Sequence, residues 1–220
     1  ITVSAIKFTS EELIEETFLL EPPEFKGHWD PHVWMDVSAW SQAVQAVATA
    51  LCQEDPANCE DYKRNATVYR AKLDALHEYA IRSIASIPAD KRVLITAHDA
   101  FNYFGRAYGI SVVGIQGLST ESEAGIEDIN RLVNMLVDNK ISAVFVESSV
   151  SDRNVNALIE GAKAKDHEVH IGGRLFSDAM GQPGTYTGTY IGMLDHNITT
   201  MTRALGGDAT QGGFASLKDN

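Results

Sequence analysis

An apolar stripe at alternating spacings of four and three runs through Tyr62, Ala66, Tyr69, Leu73, Leu76, Ala80, Ile84 and Ile87, and it predicts one helix over about 58–87. About thirty residues at 1.5 Å each make roughly 45 Å of helix, more than twice the usual length in globular proteins. Glu60–Arg64 and Glu78–Arg82 fall at i,i+4 and support its solvated face. In a chain of 220 residues, an element this long is expected as a spine between two bodies rather than as a core helix. A coiled-coil dimer is the plainer alternative.

A shorter helix precedes it. Asp30-Pro31 is expected to open that helix, since Asp caps well and Pro fits the first turn, where its missing N–H costs nothing. Val33, Val37, Trp40, Val44, Val47 and Leu51 then mark one buried face, and Asp55-Pro56 ends it. Cys52 and Cys59 flank that break. Two readings stay open for them: a disulfide across the turn, which implies an oxidising compartment, or two free thiols at helix ends. Residues 1–28 are polar and irregular apart from an extended stretch at Ile1–Ile6. The chain does not start with Met, so a fragment or a processed chain is expected.

From Arg92 onward the period changes. Short apolar strands are predicted at Val93–Thr96, Ser111–Ile115, Ala143–Val146 and Val169–Ile171, with Gly172-Gly173 read as a turn. Helices are predicted at His98–Tyr108 (ended by Gly109), Ile126–Val137, Val155–Ala164 and Thr189–Leu205. Alternating strands and helices with short connections define an α/β class: a four-stranded, mostly parallel sheet with helices on both faces. The division expected is 1–57, a first segment bearing the shorter helix; 58–87, the spine; 88–205, the α/β lobe; and 206–220, a glycine-rich mobile tail.

Composition narrows function by exclusion. Asp and Glu outnumber Lys and Arg by 30 to 18, a formal net charge of −12. Nucleic acid as a partner is not expected, because phosphate binding needs a basic footprint. No run approaches the ~20 apolar residues that span a bilayer.

Ligands of open parallel sheets sit beyond the carboxyl ends of the strands. His98 follows the first strand, Glu147 the third, and Asp178 the fourth. His32 lies in His28-Trp-Asp-Pro-His32, at the start of the first helix. Helix N-termini disfavour imidazolium, so His32 and His98, both placed at predicted helix starts, are expected as neutral imidazoles, the form that binds metal. Asp178 adds an anionic oxygen, and such a donor set suits zinc, manganese or iron. Each residue taken alone has a plainer reading as a cap or turn residue. Glu147 is either an acceptor that orients a ligand histidine or a hydrogen-bonding residue at a strand end. His28 is expected in solvent, and His77, His167, His170 and His196 as structural.

Asp30-Pro-His-Val-Trp34, Arg92-Val-Leu-Ile-Thr-Ala-His-Asp-Ala-Phe101, Tyr103-Phe-Gly-Arg-Ala-Tyr-Gly109, Phe145-Val-Glu-Ser-Ser149 and Leu175-Phe-Ser-Asp-Ala-Met180, in this order, resemble the TroA-type zinc/manganese receptors of bacterial ABC importers. The resemblance covers about 29–205. It implies two α/β lobes joined by a long helix, a metal between them, and delivery to a membrane permease from the periplasm or from a lipid anchor outside the cytoplasmic membrane. It carries metal-ligand roles onto His32, His98 and Asp178, with Zn²⁺ or Mn²⁺ as cargo and Fe²⁺ also admitted. His98 stands where manganese-selective relatives often carry Glu, which tilts the expectation toward zinc. Most of the first lobe of such receptors, with a further histidine ligand, has no counterpart here, so the fourth ligand is unassigned and dimerisation through the uncovered face is expected. The resulting reading is a binding protein and not an enzyme. The alternatives are a metal-dependent hydrolase, with Glu147 or Asp99 as general base, and a surface adhesion protein that has lost transport.

Overall fold

The computed structural model describes residues 19–22, 27–116 and 125–218. The extended stretch expected at Ile1–Ile6 lies outside them. The chain divides into two compact units, Ile1–Tyr79 and Ala80–Asn220.

The first unit is helical. A 3-10 turn, Val33–Met35, leads into α1, Val37–Glu54. Asp36, not Asp30, caps α1: its Oδ1 accepts from the Ser38 and Ala39 amides at 3.0 and 3.3 Å and from the Ser38 hydroxyl at 2.6 Å. The face that α1 buries is its small-residue face, Ala39, Ala43, Ala46 and Ala48 with Val37 and Ser41. The bulkier stripe expected there is less covered. Trp40, Val44 and Leu51 are half-buried and Val47 is exposed, and with Tyr62, Ala66 and Tyr69 they line an apolar groove. Cys52 and Cys59 form a disulfide across the turn at Pro56–Asn58, which settles the two open readings. The long helix α2 runs Cys59–Ala85, 27 residues. Near its amino end Lys63 pairs with Glu60 at 3.0 Å and Arg64 with Asp61 at 2.6 Å, both i,i+3, so the expected Glu60–Arg64 pairing is replaced by two shorter-range ones. The two units divide inside this helix.

The second unit is α/β. Strands β1, Val93–His98, and β2, Ser111–Gln116, form a parallel ladder from Val93↔Ser111 to His98↔Gln116. Strands β3, Ala143–Glu147, and β4, His170–Leu175, form a second parallel ladder. Strands β1 and β3 pack side by side, giving the order 2-1-3-4, but backbone pairing divides the four strands into two pairs. At the carboxyl end the reason is visible: the His98 N–H is taken by the Glu147 side chain, not by a strand carbonyl. Helices α3, Asn102–Tyr108, α4, Ile126–Asp138, α5, Arg153–Lys163, and α6, Tyr190–Ala204, complete the unit.

Alternation sorts the strand side chains. Ile95, Ala97, Val144 and Val146 join a core with Leu132, Val133 and Leu136 of α4 and Val155, Leu158 and Ala162 of α5. Gly172 and Gly173 are not a turn. Both lie inside β4, which runs on to Leu175. A Cβ on Gly172 would come within 2.8 Å of Ala204 and 3.0 Å of Phe145, so the glycines let α6 approach the strand closely. The glycine-rich stretch 206–218 makes contacts back to α6. Asp195 on α6 accepts from the Phe214 and Ala215 amides at 2.7 and 3.1 Å, and Phe214 is buried. Among the described residues, no helix is long and apolar enough to cross a membrane.

Candidate metal centre

In the first unit, Asp30 and His32 are both almost fully buried. Asp30 Oδ1 accepts the His32 backbone N–H at 2.9 Å and lies 2.7 Å from its Nδ1. The i,i+2 reach of a short carboxylate makes both contacts at once. The role expected of Asp30 is therefore corrected: it orients His32 rather than opening α1. His32 stands just before the 3-10 turn and not in an α-helical first turn, and its ring is held by the Asp30 carboxylate. A carboxylate on Nδ1 is the contact that orients a histidine able to ligate through Nε2. The Trp34 ring meets the imidazole edge-on at 5.3 Å. His28 is exposed, as expected.

In the second unit, three polar groups meet at the carboxyl ends of the strands. His98 is the last residue of β1, and not the first of a helix; α3 begins only at Asn102. Glu147 is the last residue of β3. Both are fully buried. Glu147 Oε1 accepts the His98 N–H at 2.8 Å and Oε2 lies 2.7 Å from Nδ1, so one carboxylate fixes both the strand end and the ring. Asp178, partly exposed, follows β4, and its Oδ2 is 3.4 Å from His98 Nε2. Burial by itself would push the His98 pKa down. The hydrogen bonds and charges of Asp178 and Glu147 outweigh it and raise the pKa from 6.5 to about 9. His98 thus lies at a strand end and not at the helix terminus expected to keep it neutral, and the two carboxylates favour its protonated form.

Arg174 on β4 supports the site from behind. Its guanidinium donates to the Glu147 carbonyl at 2.8 Å and pairs with Asp152 at 2.8 Å. Asp152 precedes α5 without a side-chain cap bond, and this pairing is where its carboxylate goes. Sequence reasoning gave Asp30 only a capping role and passed over Arg174. The signal for Asp30 was the Asp-Pro-His spacing itself, whereas nothing local marked Arg174. His167 bonds the Ile141 carbonyl at 2.7 Å and His196 the Arg174 carbonyl at 2.8 Å, which are structural roles.

An imidazole whose Nδ1 is held by a carboxylate and whose Nε2 faces a second carboxylate is a donor arrangement for a divalent transition metal. Residues 3–204 match the family described as the periplasmic component A of the zinc-uptake complex, and the chain belongs to that family. It is 49% identical over 194 residues to the manganese-binding lipoprotein MntA of Bacillus subtilis, covering 88% of this chain and 63% of that one. It is 47% identical over 192 residues to the zinc-binding protein TroA of Treponema pallidum, covering 87% and 61%. The chain thus spans about three-fifths of the length of these curated relatives. Among solved structures, the periplasmic zinc-binding TroA of Treponema pallidum superposes with a TM-score of 0.83 at 46% identity, over 88% of this chain and 69% of that one. The Fe(III)-bound YtgA of Chlamydia trachomatis superposes with a TM-score of 0.81 at 29% identity, over 92% and 72%.

Proposed function

We propose that this chain is the metal-capturing part of an extracytoplasmic receptor that hands Zn²⁺ or Mn²⁺ to an ABC importer. His32, His98 and Asp178 serve together as ligands, two nitrogens and one carboxylate oxygen. Relatives named for manganese and for zinc support the cargo class, and the family name supports uptake and a periplasmic setting. The Cys52–Cys59 disulfide agrees with an oxidising compartment. The observation that carries the reading is the buried His98 held between Glu147 and Asp178.

The chemistry is capture and release, not turnover. A hydrolase needs a base free to take a proton from water. Glu147 meets His98 with both of its oxygens, which supports a role in orienting the ring instead. The imidazole-rich set favours zinc over manganese. The test is calorimetric titration of the stripped chain with Zn²⁺ and with Mn²⁺, beside His98→Ala. One equivalent of Zn²⁺ that the substitution removes supports the reading. Binding that His98→Ala leaves intact refutes it.

A further inference from the structure

The segment that carries Asp178 is gripped from α6 by a side chain that lies outside the proposed ligand set. Strand β4 ends at Leu175, and Asp178 lies three residues on, outside any ladder. In between, Asn197 clamps Phe176 through both backbone groups. Its Oδ1 accepts the Phe176 N–H at 2.9 Å and its Nδ2 donates to the Phe176 carbonyl at 2.7 Å. A carboxamide carries a donor and an acceptor at nearly the spacing of a peptide unit. Asn197 thus acts as one residue of a missing strand and extends β4 beyond its partner. Its neighbour His196 adds an edge-on contact to the Phe176 ring at 5.1 Å.

The placement is costly by ordinary rules. Asn is a poor residue for a helix interior, and Asn197 is fully buried in the middle of α6. Buried amides are tolerated only when bonded. A leucine here would pack without that demand, but it would remove this pairing of the Phe176 peptide and leave the Ser149–Ser177 hydroxyl contact at 2.9 Å to hold the approach to Asp178 without it. From this we infer that Asn197 is a positioning residue: it sets where the Asp178 carboxylate stands relative to His98, and so tunes metal affinity without touching the metal. This rests on the reading of Asp178 as a ligand.

A double-mutant cycle on zinc affinity tests it, using a competing chromophoric chelator and the variants Asn197→Leu, Asp178→Ala and their combination. Residues that orient metal ligands typically contribute 10–100-fold in affinity. Asn197→Leu is expected to weaken Zn²⁺ binding by about that factor, and to weaken it no further than twofold once Asp178 is already Ala. The visible d–d bands of the Co²⁺-loaded protein should shift in Asn197→Leu as they do in Asp178→Ala. Asn197→Asp, which keeps the acceptor and loses the donor, serves if the leucine variant fails to fold, and should fall between wild type and Asp178→Ala. If Asn197→Leu leaves affinity within twofold, or weakens it equally in both backgrounds, the positioning role is refuted while Asp178 stands as a ligand. If Asp178→Ala itself leaves zinc affinity unchanged, the ligand assignment falls, and this inference falls with it.

Discussion

Metal binding should release a proton from His98, and the size of the effect follows from its surroundings. Burial opposes charge on the ring, but Asp178 and Glu147 raise its pKa from 6.5 to about 9. At pH 7 the metal-free ring is therefore protonated, and a metal on Nε2 must displace that proton. From pH 7 to pH 8 the proton's competition weakens tenfold, so the apparent zinc affinity should rise about tenfold, roughly 1.4 kcal/mol. The rise should level off above about pH 9. Zinc titrations at pH 7 in two buffers of different ionisation enthalpy would count the protons directly. About one proton per metal should come from this ring and disappear in His98→Ala. Heats independent of buffer, with affinity flat between pH 7 and 8, would refute the reasoning. The same shift has a consequence without metal. The folded pKa lies above the unfolded value, so the ring's contribution to stability is full below pH 6.5 and is lost as pH rises through about 9.

Further predictions concern the supports. Glu147→Gln keeps the shape but offers one acceptor to the two His98 donors, so zinc affinity should drop by about 10–100-fold with little change in helix content by circular dichroism; unchanged affinity would remove Glu147 from the account. Asp195→Ala removes an acceptor from the Phe214 and Ala215 amides and from the Tyr186 and Thr199 hydroxyls. It should cost about 2–4 kcal/mol in denaturant unfolding and expose 206–218 to protease; an unaltered cleavage pattern would contradict the tethering. Reducing Cys52–Cys59 opens a short loop and should lower stability by about 2 kcal/mol, read as a lower urea midpoint in reductant.

The α/β class was legible because strand and helix periods differ sharply after residue 92, and because Gly109 and Thr189 sit where a helix ends and begins. Two kinds of detail were not legible. Periodicity marks an apolar stripe without saying what covers it. On α1 the alanines pack inside, whereas the larger Trp40, Val44, Val47 and Leu51 line a groove. The second kind is a choice between equivalent local signals. Asp30 and Asp36 both precede a helix-like stretch, and only the intervening 3-10 turn decides that Asp36 caps while Asp30 holds His32. Likewise the glycines of β4 read as a turn until α6 is laid across them. For the site, strand ends located His98, Glu147 and Asp178. The carboxylates that hold each ring became visible only with side chains in place, because they act across dozens of residues or from within a turn.

X-ray absorption at the zinc edge of the metal-loaded chain tests the central proposal most directly. Two imidazoles and a carboxylate oxygen, with no sulfur, are expected around zinc, since both cysteines are tied in the disulfide. His32→Ala and His98→Ala should each remove one imidazole from the shell. A shell that keeps both imidazoles in either variant, or one that contains sulfur, would contradict it.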